Sequence, residues 1–331
     1  MSEVIGVLSG KGGVGKTTLV SNIGAALTNE FGKNVVVIDA NLNSSHLGLH
    51  MGLYQDLPVT LREVIRKGLP ISYAVYVHPS TGIRIVPAAL NSDGVLPTPQ
   101  KLREITDRLK KDYEMIVMDC PPGLGSEVVT AITAIDSAVV VTTPDFPSVA
   151  DALKTVQLLE KMRKGILGIV INKKKGKGYE LTAKEVESTC GVSVIGTVPE
   201  DKHVPEAISE GVPVVLLYPN SPASVELKKV AASLIGMQYR PANIVERIIG
   251  NFVKSRSYGP GVHTPVPANP PTQPVVSPIM QPQKAAGTHT IQQRGVADFV
   301  RRDDLTEEMK EEIRQELKRQ IMQKVKERLS Q

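Results

Sequence analysis

Eight consecutive residues, Gly10-Lys11-Gly12-Gly13-Val14-Gly15-Lys16-Thr17, have the types and spacing to grip a polyphosphate. They fit the pattern G-x-x-x-x-G-K-[ST], in which glycines let the backbone wrap until successive N–H groups point at phosphate oxygens. A helix starting there adds the partial positive charge of its N-terminus. Lys16 can neutralise β- and γ-phosphate charge, and the Thr17 hydroxyl suits a Mg²⁺ ion. Lys11 is a second lysine directly after the first glycine. It cannot easily turn inward on its own loop, so it either reaches a nucleotide held by another subunit or stands as a solvated loop charge.

A loop of this kind works only between a strand and a helix, and the flanking residues predict both. Strands are expected over 4–8, 34–39, 83–87, 113–119, 137–142, 167–172 and 194–199, all rich in Val and Ile and nearly continuous in apolar character. Such runs belong to strands covered on both faces. The expected fold is α/β, a doubly wound, mostly parallel sheet of the P-loop NTPase class. Helices are expected at 17–30, 99–111, 147–164, 182–189 and 222–235.

Of the 331 residues, 41% are hydrophobic and 22% charged, a balance that excludes a wholly disordered or collagen-like chain. No apolar run is long enough for a membrane span. The first ten residues hold no basic stretch followed by an apolar block, so secretion is not expected and a reducing cytoplasm fits best. Cys120 and Cys190 form no CxxC pair, which argues against a disulfide framework, a zinc site or an iron–sulfur cluster. The six histidines, His46, His50, His78, His203, His263 and His289, show no metal-ligand spacing and are expected in ordinary surface or loop roles. Net charge is +5, with the surplus concentrated between residues 240 and 300. A neutral body argues against nucleic acid as its partner, and the basic segment suits an anionic surface.

Beyond these residues the match becomes specific. Lys11 to Thr18 resembles the deviant Walker A loop of the MinD/ParA ATPases. Val36-Val37-Ile38-Asp39-Ala40-Asn41 is similar to that family's first switch, and Ile116-Val117-Met118-Asp119-Cys120-Pro121-Pro122-Gly123 to its Walker B strand and second switch. Asn172 and Gly196-Thr197-Val198-Pro199-Glu200-Asp201 resemble its adenine-binding strand ends. The resemblance covers residues 2 to about 240 and is greater to the MinD branch, partly through Ser221-Pro222-Ala223-Ser224.

The resemblance implies an ATP-dependent homodimer with two nucleotides held between subunits. Gly10, Gly12, Gly13, Val14, Gly15, Lys16, Thr17 and Thr18 would surround the phosphates. Asn172, Pro199, Glu200 and Asp201 would hold the base, and Thr17 and Asp119 the Mg²⁺. Lys11 would cross to the partner's nucleotide and stabilise the transferring phosphoryl group. Asp39 and Asn41 would complete the catalytic set, but the family usually has an acidic residue where this chain has Asn41. An amide can hydrogen-bond a water and cannot accept its proton. Slow or partner-stimulated hydrolysis follows from that. Asp151 resembles an acidic residue of a dimer-facing helix and reads equally well as a solvated charge.

Four segments are expected: the ATPase domain at 1–240, an amphipathic helix at 241–256, a proline-rich disordered linker at 257–300, and a charged helix at 301–331. On a helical wheel Ile244, Val245, Ile248, Ile249, Phe252 and Val253 occupy one half and the polar residues the other, which fits a helix lying among lipid headgroups or packing on its own domain. Between Pro260 and Pro282, eight of 23 residues are proline and none carries charge. The last segment repeats Leu305, Met309, Ile313, Leu317, Ile321, Val325 and Leu329 at fours among opposite charges, the pattern of a helix that binds a protein partner or itself. The expected activity is control of positioning at the inner face of the cell membrane. A DNA- or cargo-segregating ATPase and a non-hydrolysing adaptor remain open.

Overall fold

The computed structural model describes residues 2–42, 46–53, 57–78, 81–88 and 97–240. The segments predicted at 241–256, 257–300 and 301–331, and the Ile244 to Val253 helix with them, lie outside the described residues.

Among the described residues the strands form one eight-stranded sheet in the order β3-β4-β2-β5-β1-β6-β7-β8. They are β1 (Glu3–Leu8), β2 (Val35–Asp39), β3 (Tyr76–Val77), β4 (Arg84–Val86), β5 (Met115–Asp119), β6 (Ser137–Thr142), β7 (Gly165–Lys174) and β8 (Val194–Pro199). Every pairing is parallel except the short antiparallel edge of β3 on β4. The sheet is therefore doubly wound and mostly parallel, as the apolar runs imply.

Alternation along each strand explains those runs. Val4 and Leu8 of β1, Val36 and Ile38 of β2, and Ile116 and Met118 of β5 enter one apolar cluster. Their neighbours Ile5 and Val7, Val35 and Val37, Met115 and Val117 enter a second on the opposite face. A period of two feeding two cores makes the middle of each of these strands apolar and leaves their buried polar side chains, Asp39 and Asp119, to the ends.

Helices cover both faces. They are α1 (Lys16–Asn29), α2 (Leu47–His50), α3 (Leu61–Lys67), α4 (Pro99–Leu109), α5 (Ser126–Thr133), α6 (Phe146–Lys161), α7 (Ala183–Cys190), α8 (His203–Ser209), α9 (Val214–Leu217) and α10 (Pro222–Leu234). Three of the longer ones, α4, α6 and α10, start where the sequence places an oxygen cap and a proline. Asp145 accepts from the Ser148 N–H ahead of α6, Ser221 from Ser224 ahead of α10, and Thr98 from Lys101 ahead of α4.

The winding sets the location of the site. From β1 the chain steps over one place to β2 and on to the edge at β3 and β4, returns to insert β5 between β2 and β1, then crosses to the other side of β1 to add β6, β7 and β8. At that reversal the loops beyond the carboxyl ends of neighbouring strands part, leaving a crevice over β1. The strand that carries the glycine-rich loop is β1.

Candidate functional site: a cleft over the central strands

The loop between β1 and α1 is held open from within. Lys16 extends back across it and its Nζ donates to Ser9 Oγ at 3.0 Å, while Ser9 Oγ donates to the Lys11 carbonyl at 2.7 Å. Gly13 and Gly15 take φ of 81° and 98°, in the left-handed region. At Gly15 a Cβ would also collide with Asn172 Nδ2. That amide comes from β7 and donates to the Val14 carbonyl at 2.8 Å, and its neighbour Lys173 donates to the Gly13 carbonyl at 2.8 Å. Two side chains of one strand thus tie down two of the loop's carbonyls.

Two strand ends bring carboxylates beneath the loop. Asp119, ending β5, accepts from the Thr17 hydroxyl at 2.6 Å through Oδ2. Its other oxygen, Oδ1, is buried without a hydrogen-bond partner. Asp39, ending β2, is fully buried and accepts from the Asn41 N–H at 3.0 Å and the Leu47 N–H at 3.2 Å. Burial, then the charge of Asp39, push the Asp119 carboxyl up to about 7. Burial also lowers the Lys16 ammonium, with Asp119 acting in the opposite direction.

An orphaned buried carboxylate oxygen beside a second carboxylate calls for a cation, and the donor set suits a hard one. The Thr17 hydroxyl gives its single hydrogen to Asp119 and keeps its lone pairs. Mg²⁺ fits here. Because it binds the carboxylate form, apparent Mg²⁺ affinity in the presence of ADP is expected to rise as pH increases through about 7, with proton release. The same raised carboxyl binds a proton in the folded chain that the unfolded chain has lost above its ordinary value of 3.8, so its contribution to nucleotide-free stability declines between about 4 and about 7. Thermal unfolding with and without Mg²⁺ at pH 6 and pH 8 checks both trends, the Mg²⁺-dependent gain being larger at pH 8. Asp119→Asn should abolish that difference.

The cleft encloses about 1130 Å³. At one end Lys16, Thr17, Asn41 and Glu127 line it. At the other, Val198, Pro199, Val204, Pro205, Ile208 and Leu227 form an apolar slot, a lining of the kind a planar base packs against. Glu200 lines the slot's edge, and so does Asp201, whose carboxylate accepts from the His203 N–H at 3.0 Å and the Ala223 N–H at 3.1 Å. Asp201 thereby ties the turn after β8 to α10 and sets where Pro199 and Glu200 stand.

Of the residues singled out in the sequence, Gly12, Gly13, Gly15, Lys16, Thr17, Thr18, Asn41, Asn172, Pro199, Glu200 and Asp201 line the cleft. Gly10 packs against the backbone of Asp151 on α6 with no room for a Cβ. Val14 is buried beneath the loop and Asp39 and Asp119 beneath the cleft floor. Lys11 is directed elsewhere, its Nζ 3.4 Å from Asp145 Oδ1, and Asp151 pairs with Lys154 on its own helix at 3.1 Å. His46, an exposed loop residue as expected, and His50, at the end of α2, also line the cleft. Their spacing of four residues, directly after the first switch, was the signal. Glu127, Lys173 and Ile208 also line the cleft without having been anticipated.

A glycine loop between a central parallel strand and a helix, an inward lysine, and a carboxylate-plus-hydroxyl pair define a P-loop nucleotide-binding protein. The comparisons narrow the class: the ParA family model, described as NUBPL iron-transfer P-loop NTPase, matches residues 1–235, and the chain belongs to that family. Among its relatives is an uncharacterized ATP-binding protein of Methanocaldococcus jannaschii, 37% identical, with the match covering 77% of this chain and 96% of the relative. The septum site-determining protein MinD of Pyrococcus horikoshii, solved with Mg-ADP, is 30% identical with a TM-score of 0.67, covering 71% of this chain and 96% of that one. MinD in the MinC:MinD cell division complex of Aquifex aeolicus is 29% identical with a TM-score of 0.65, covering 73% and 99%. This is a MinD/ParA-type P-loop ATPase domain.

Proposed function

We propose that the chain is a nucleotide-driven switch. It binds Mg²⁺ and ATP, closes with a second copy into a dimer, hydrolyses the nucleotide slowly, and uses the cycle to place itself and a protein partner at the cytoplasmic face of the membrane. Lys16 and the N–H groups of the glycine loop would hold the phosphates, Thr17 and Asp119 the metal. The metal, when bound, supplies charge neutralisation across the β- and γ-phosphates. The base would enter the slot between Pro199, Val204 and Leu227.

The observation that carries this reading is the position of Lys11. Its ammonium belongs to the same loop as Lys16 yet is 39% exposed and rests on Asp145 outside the cleft. Asp145 is well anchored there, since Ser148 N–H and Oγ and the Thr143 hydroxyl all donate to it. Such a half-exposed pair contributes about 0–1 kcal/mol, so releasing Lys11 costs little. A nucleotide in another copy is a target it could reach, and one that would reward the movement.

Membrane contact rests on Ile244 to Val253 and the basic residues around them. One short helix binds lipid marginally, and two on a dimer act together through effective concentration. Co-sedimentation with anionic vesicles tests the whole cycle. The full chain should pellet with ATP and stay in solution with ADP, whereas a 1–240 fragment should stay in solution with both. A full chain that ignores vesicles and instead shifts nonspecific DNA in a salt-dependent manner would replace this reading with DNA or cargo segregation.

A further inference from the structure

Asn41 occupies the place at the phosphate end where a proton acceptor is wanted, and its amide has none to offer. Another residue that lines the same cleft does. Asp39 accepts through Oδ1 from the Asn41 N–H at 3.0 Å and through Oδ2 from the Leu47 N–H at 3.2 Å. One buried carboxylate therefore holds both ends of the loop after β2, and the residue before Leu47, His46, stands in the wall of the same cleft that Asn41 lines. His46 is exposed in that wall, and Lys16, Thr17 and Asn41 line the same cavity.

We propose that His46 is the catalytic base of this chain, taking over at the γ-phosphate the role that Asn41 cannot perform. This rests on the hydrolysis proposed above. In the step, the oxygen of a water forms a bond to the γ-phosphorus while the bond from that phosphorus to the β,γ-bridging oxygen breaks, its electron pair leaving on ADP. The water's proton passes to the lone pair of an imidazole nitrogen of His46 and from there to solvent, and orthophosphate is released. Asn41 orients the water by hydrogen bonding.

The other titratable groups around the cleft suit the task less well. His50, four residues on along α2, is held down to about 4 by burial and then by His46, and stands deeper in the wall. Asp39 spends both oxygens on the loop. Asp119 lies under the floor with Thr17, and Lys16 is a cation committed to the phosphates. Glu127 lines the cleft from the first turn of α5, on a different element from the loop that carries Asn41. Lys202 and Lys173 are cations at the rim.

The test uses the full chain with Mg²⁺ and anionic vesicles. His46→Ala should lower turnover by about 10²-fold or more, with affinity for a nonhydrolysable ATP analogue within about threefold of the parent. Adding Asn41→Asp to His46→Ala should restore turnover by supplying a carboxylate at the neighbouring position. Independently of activity, the imidazole NMR signal of His46 should shift with the Mg²⁺–ATP analogue and not with Mg²⁺–ADP, since only the former brings a γ-phosphate. Turnover of His46→Ala within threefold of an active parent, or a His46 signal that treats the two nucleotides alike, overturns the role of the imidazole and leaves the switch standing. A loss that Asn41→Asp does not repair reduces His46 to holding the loop. A parent that binds nucleotide and never turns over removes hydrolysis itself, and this inference with it.

Discussion

Lys16→Ala is expected to weaken nucleotide binding more than any other single change. The side chain is 8% exposed, donates to Ser9 Oγ at 3.0 Å, and stands over the only pair of strand-end carboxylates facing the loop among the described residues. In the nucleotide-free chain its charge offsets Asp119, which is why the ammonium is tolerated at that depth despite the lowering effect of burial. A triphosphate arriving in the cleft replaces that partial compensation with full ion pairing. Truncating one member of a buried, hydrogen-bonded charge pair costs about 2–5 kcal/mol, roughly thirty- to several-thousandfold in affinity. Calorimetric titration with ATP and Mg²⁺ measures it directly. Unchanged affinity would mean that the phosphates bind somewhere other than this loop.

The second large effect concerns assembly instead of affinity. Lys11→Ala removes an ammonium that points away from its own cleft, so affinity for a slowly hydrolysed ATP analogue should remain within a few fold of the parent. Dimers formed with that analogue should be lost, because each dimer loses two cross-subunit contacts made to highly charged phosphates. Size-exclusion chromatography with light scattering, with and without the analogue, separates the two readouts. A variant that dimerises normally would leave Lys11 as a loop charge paired with Asp145. Weakened binding in the monomer would instead place Lys11 in its own site, against the geometry described above.

The elements that escaped sequence reading have physical reasons in common. α2 and α9 are four residues long, too short for any periodicity to register. α5 is Ser-Glu-Val-Val-Thr-Ala-Ile-Thr, whose β-branched residues favour a strand, and packing against the sheet overrides that preference. α3 was readable, for Thr60 and Glu63 make a capping box and Gly68 ends the helix in the left-handed conformation. The histidines show the same limit at the site. His46 and His50 sit at helical spacing beside the first switch, but only the staple from Asp39 turns that segment back into the cleft.

What the residues alone determine is the chemistry available and the scaffold that must carry it. Two-sided apolar runs demand a covered parallel sheet, and a glycine loop ahead of Lys16 and Thr17 demands phosphate. Both are local properties, set by side-chain type and by spacing over a few residues. Only tertiary structure decides which distant groups share one cavity. Asn172 and Lys173 reach the loop across more than 150 positions because β7 crosses over to lie two strands from β1. Lys11 is turned outward by a carboxylate at the start of α6, and the buried end of β2 holds the loop by which His46 and Asn41 come to line one cleft. Those placements come from strand order and loop closure, which depend on contacts summed over the whole chain and are written in no single segment of it.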